Sequence, residues 1–140
     1  MASRRKAREL ALQMLFQWEM GGHTPEHVVS TFLRAQKVDE EVESFARTLF
    51  EGTVAEVETL DGLMRDRSEH WRLERMAAVD RNLLRVALYE MRHYPETPPA
   101  VIINEALEIA RRFSDKDAVK FVNGVLDAIR KSLPATSPAP

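Results

Sequence analysis

AAVDRNLLRVALYEMRHY, residues 77–94, decides the fold. Val79, Leu83, Val86, Ala87, Met91 and Tyr94 recur at steps of three and four and form one helical stripe. Leu84 and Leu88 widen the stripe beyond a single face, so this helix is expected to be central. The same period extends outward in both directions. Ala7, Leu10, Ala11, Met14, Leu15 and Trp18 form the first stripe, which Gly21-Gly22 ends. Thr24 can cap a second helix and Pro25 can occupy its first position, with Val28, Val29, Phe32 and Leu33 on its apolar face. A long third run keeps helical phase from about 39 to 67, with Gly52 and Gly62 marking close helix contacts or a bend. The piece near Trp71–Arg75 is ambiguous. After Pro95, Pro98 and Pro99 the stripe Ile102, Ala106, Ile109, Ala110 and Phe113 follows. Ser114 and Asp117 fit a capping box, and Ala118, Val122, Val125, Leu126, Ile129 and Leu133 form the last stripe. No stretch alternates as a strand would. The expected fold is all-α, a compact bundle of six or seven helices in two subdomains. One helical domain over 1–133 divides near 67–76, and PATSPAP over 134–140 reads as a disordered tail.

Composition sets limits on function. The chain has 140 residues, no cysteine, 44% hydrophobic and 30% charged residues. Disulfides, thiolate nucleophiles and cysteine-ligated zinc are excluded, and a cytoplasmic protein is the expectation. There is no glycine-rich phosphate loop and no GxSxG. His23-Thr24-Pro25-Glu26-His27 matches H-x-x-E-H, but Pro25 should start a helix and leave His23 outside it, so a surface loop is the preferred reading. No enzyme, metal or cofactor is expected.

The net charge of −2 is unevenly spread. Arg4, Arg5, Lys6 and Arg8 against Glu9 give residues 1–13 a local +3, while residues 39–66 carry a local −7. A basic end on an acidic body points to a local polyanion site. At about 100° per residue, Phe16 falls nearly opposite the stripe of the first helix, on the side of Arg5 and Glu9. Two readings stand. Phe16 and Leu12 pack on a neighbouring helix, or the ring stacks on an unpaired base while the cations attract phosphates. Phe121 lies about 100° off its own stripe, near Lys116 and Lys120. Two off-face aromatics beside cations suit single-stranded RNA better than a duplex.

RRKARELALQMLFQWE (4–19) resembles the opening of the NusB family of bacterial transcription antitermination factors. VDRNLLRVALYEM, INEALEIARRF and KFVNGVLD resemble its later blocks in the same order, and the likeness covers about residues 3–131. The resemblance implies an all-α fold in two helical subdomains and a non-enzymatic protein. It implies binding of boxA-type RNA together with NusE, ribosomal protein S ten, within the antitermination complex of RNA polymerase. By the same resemblance the arginine-rich motif of about residues 3–8 falls on Arg4, Arg5, Lys6 and Arg8, and the following aromatic is Phe16. Asp117, Lys120 and Phe121 match positions at or near RNA. Asp80 matches an acidic residue linked to the NusE and RNA surface, shortened here from Glu. Family members occur as monomers or homodimers. The rival from another class is a helical protein-interaction scaffold without its own RNA affinity. A methyltransferase carrying a NusB-like domain is the enzyme rival, and no cofactor-binding segment is seen up to Pro140.

Overall fold

The structure, a computed structural model, describes residues 2–67 and 73–132. These form seven α-helices: α1 (Ala2–Gly21), α2 (Pro25–Thr31), α3 (Glu40–Ala55), α4 (Val57–Arg67), α5 (Ala78–His93), α6 (Pro99–Phe113) and α7 (Lys116–Ser132). Short 3₁₀ turns follow α2 and precede α5. Trp71, His70, Leu133, the tail 134–140 and much of the break expected near 67–76 lie outside the described residues.

Local chemistry explains the helix ends. Gly22 takes φ +71°, the left-handed conformation that stops α1 without a Cβ penalty. Thr24 Oγ1 accepts from the His27 amide at 3.2 Å and Pro25 opens α2, leaving His23 outside the helix. The cap of α7 differs from expectation. Asp115, not Ser114, receives the Ala118 amide at 2.8 Å, while the Ser114 hydroxyl donates to Asp80 at 3.1 Å.

The single run expected over 39–67 is two helices. Glu56, at φ −108° and ψ 15°, leaves helical geometry for one residue, and the ladder resumes with Leu60 N–H to Glu56 O at 2.9 Å. Contacts with α5 flank the break. A Cβ on Gly52 would lie 2.2 Å from the Tyr89 hydroxyl oxygen, so the missing side chain admits the α5 ring against α3. Glu56 turns toward the end of α5 and pairs with His93 Nε2 at 2.6 Å and Arg92 Nε at 3.5 Å.

α5 is the axis of the bundle. It touches α1, α3, α4, α6 and α7, and every residue from Asn82 to Met91 is buried. A helix buried all round must partner its polar side chains, because an unpaired buried charge is strongly unfavourable. Arg85 meets Asp61 of α4 through two 2.8 Å bonds and Glu19 of α1 through one at 2.6 Å. Glu90 receives Arg8 through bonds of 2.8 and 2.6 Å.

Candidate nucleic-acid interface

The four amino-terminal cations do not form one patch. Arg8 is buried, its guanidinium bidentate on Glu90. The sequence reading placed it on phosphate. Reaching a phosphate would strand the buried Glu90 carboxylate, so Arg8 works as a fastener between α1 and α5. Arg5 is bidentate on Glu105 of α6 at 2.9 and 3.0 Å, with part of its side chain exposed. Its hydrogen bond holds the Glu105 carboxyl below its ordinary range. Arg4 and Lys6 are exposed and have no carboxylate partner among the described residues.

The same pairs set the register of α1. Arg8 meeting Glu90 and Glu19 meeting Arg81 make α1 antiparallel to α5. Arg5 meeting Glu105 and Glu9 meeting Arg112 at 3.0 Å make it parallel to α6. Arg5, Glu9, Leu12 and Phe16 share one side of α1 by helical geometry. That side points to α6, and beyond Arg112 to the corner where α6 gives way to α7. Leu12 is 2% exposed and Phe16 40% exposed, so the two alternatives are divided between them: Leu12 is packed, while Phe16 is presented. Met20, one turn further, is 59% exposed.

A chain of polar contacts ties the corner to the end of α1. Asp80 is buried at the start of α5 and accepts the Ser114 hydroxyl. Burial pushes its carboxyl above the ordinary range, against the Ser114 bond that lowers it. The resemblance linked Asp80 to a partner surface. The structure places it beneath the corner, where it positions Ser114. Its neighbour Arg81 donates to Glu19 at 2.7 Å and to the carbonyls of Leu73 and Met76 at 3.0 and 2.8 Å. Burial raises the Glu19 carboxyl, but bonds from Arg81 and Arg85 outweigh it and hold the group low. Glu19 lies one turn beyond Phe16. The Glu19 pairs of this network, more than sixty residues apart in sequence, left no periodic signal to read.

At the corner, Asp117, Lys116 and Lys120 are exposed on the first turns of α7. Arg111, Ser114, Asp115, Lys116, Val119 and Lys120 line a surface cavity of about 640 Å³. Neither lysine has a carboxylate partner among the described residues. Phe121 is half-buried, packed on the core edge. Phe16 and the corner therefore lie on one side of the bundle. Arg4 and Lys6 lie roughly 15–18 Å further along α1, at 1.5 Å per residue. Among the described residues no group of three or more potential metal ligands occurs, and no helix is long and apolar enough to cross a membrane.

Fold and surface define a class: small all-α bundles with a buried central helix and a basic, aromatic-bearing face. Comparison with known proteins narrows it. The NusB family profile matches residues 5–131. The transcription antitermination protein NusB of Koribacter versatilis (strain Ellin345) is 54% identical over 134 residues, covering 95% of this chain and 92% of that protein. A crystal form of T. maritima NusB superposes with a TM-score of 0.84 at 35% identity, over 92% of this chain and 91% of that one. Antitermination factors NusB and NusE in complex with double-stranded RNA form another similar crystal structure, with a TM-score of 0.86 at 26% identity over 95% and 99% of the two chains. The chain belongs to the NusB family.

Proposed function

We propose that the protein is an RNA-binding transcription antitermination factor. It engages boxA-type nascent RNA together with NusE and supports antitermination of ribosomal RNA transcription in the cytoplasm, as part of the RNA polymerase antitermination complex. It is a regulatory protein, not an enzyme. One observation carries the reading: Phe16 stands out from the bundle on the side of α1 that faces the α6–α7 corner, with its register fixed by ion pairs. Arg4, Lys6, Lys116 and Lys120 take phosphates. Phe16 and the half-buried Phe121 offer aromatic surface to the bases, and the Asp117 carboxylate accepts from base amino groups. Arg5 and Arg8 hold α1 in place, and Asp80 sets the corner. Residues 1–133 act as one helical domain with residues 134–140 as a tail.

The related complex holds double-stranded RNA. Exposed rings favour unpaired bases, because each base then offers a face to stack on. The test is titration with a boxA-type RNA oligomer, single-stranded or as a duplex, with and without NusE. Four phosphate contacts at about −0.7 each predict a slope of log affinity against log salt near −3. Single strands should bind better than duplex, and NusE should tighten binding by raising effective concentration. Binding to NusE with no RNA affinity would favour the scaffold reading instead.

A further inference from the structure

Arg4 is exposed, yet it is not loose. Its guanidinium carbon lies 4.4 Å from the centroid of the Phe45 ring on α3. That ring is itself held: it is half-buried against the core and meets Tyr94 edge-on at 5.7 Å and 86°. The buried Arg8 guanidinium approaches it to 5.9 Å. Ser3, Glu41 and Val42 line the same small hollow, and Glu41 makes no ion pair with Arg4.

Stacking on a ring uses the flat face of a guanidinium, where the positive charge meets the π cloud. Phosphate recognition uses its edge, where the N–H donors lie in the plane. The two are compatible, so Arg4 can rest on Phe45 and keep its donors for a ligand. Arg5 and Arg8 have given their edges to Glu105 and Glu90. Among the three arginines of the segment, Arg4 alone sits over an aromatic ring with donors that no carboxylate among the described residues occupies.

We propose that Phe45 is a positioning residue for RNA binding, holding Arg4 edge-outward for a phosphodiester of the bound strand. The inference rests on the RNA-binding reading above. Its effect is preorganisation: a side chain already ordered loses less freedom when a phosphate arrives.

The test titrates the full chain with a single-stranded RNA oligomer at several salt concentrations. Phe45→Leu, which keeps apolar bulk and removes the ring face, should weaken binding about two- to tenfold. Phe45→Tyr should restore wild-type affinity. Phe45→Leu combined with Arg4→Ala should bind no more weakly than Arg4→Ala alone, because the ring acts only through that side chain. Arg4→Lys, which keeps charge without a plane to stack, should fall below wild type and serves if Phe45→Leu does not fold. Wild-type affinity in Arg4→Lys or in a folded Phe45→Leu, or additive losses in the double variant, overturns the inference while leaving the RNA reading intact. A wild-type chain without RNA affinity overturns both.

Discussion

Glu19 shows what single residues do in this bundle. Its carboxylate receives Arg81, Asn82 and Arg85, and through them it fixes the end of α1. The group is held below its ordinary pKa of 4.5 although burial pushes the other way. A depressed carboxylate stabilises the fold above its unfolded pKa and loses that contribution as pH falls through its folded value. Glu105, depressed by Arg5, has the same sign. Asp80, raised mainly by burial, has the opposite sign and opposes folding when ionised. Glu19→Gln should therefore lower stability at pH 7 by about 1.5–3 kcal/mol, the worth of hydrogen bonds to a charged group. The gap to wild type should close as pH drops below 4.5, read by thermal melts at pH 7 and pH 3. A gap constant with pH would remove the ionised carboxylate from this role. None of these partnerships was legible beforehand. Periodicity shows which side of a helix faces inward, but not that Arg8 and Glu19 on the edge of that side would find charges on α5.

Elements were more legible than their joints. The stripes place six helical runs, one of which the fold divides into α3 and α4, and α5 is buried all round as its wide apolar face requires. The joint at Glu56 was hidden because hydrophobic phase continues across it, and the contacts that flank it, Tyr89 against Gly52 and His93 on Glu56, come from another helix. Likewise Asp115 and Ser114 are both good caps in isolation, and the buried Asp80 decides between them by claiming Ser114. Gly52 and Gly62 looked alike in the sequence and differ in the fold. Gly52→Ala should destabilise by about 1–3 kcal/mol, since the Tyr89 ring must move. A Cβ on Gly62 meets nothing within 4 Å, so Gly62→Ala should stabilise α4 by roughly 0.5–1 kcal/mol. Denaturant midpoints of the two variants should shift in opposite directions. Equal shifts would mean that Gly52 gives no special access to Tyr89.

Across the whole molecule, ion pairs turn a basic end into an ordered surface. Arg5 and Arg8 anchor α1, which leaves Arg4 and Lys6 outside, and the α1–α6 register directs the side of α1 that bears Phe16 toward the end of α6. Net charge alone could not separate the anchoring arginines from the outward ones. The off-stripe position of Phe16 was legible, because a ring opposite the core stripe has few places to go. The most direct measurement is RNA affinity and melting temperature of Phe16→Ala taken together. A presented ring predicts a loss of about 1–3 kcal/mol in binding single-stranded RNA with the melting temperature nearly unchanged. A collapse in melting temperature, or unchanged RNA affinity in a well-folded variant, would contradict it.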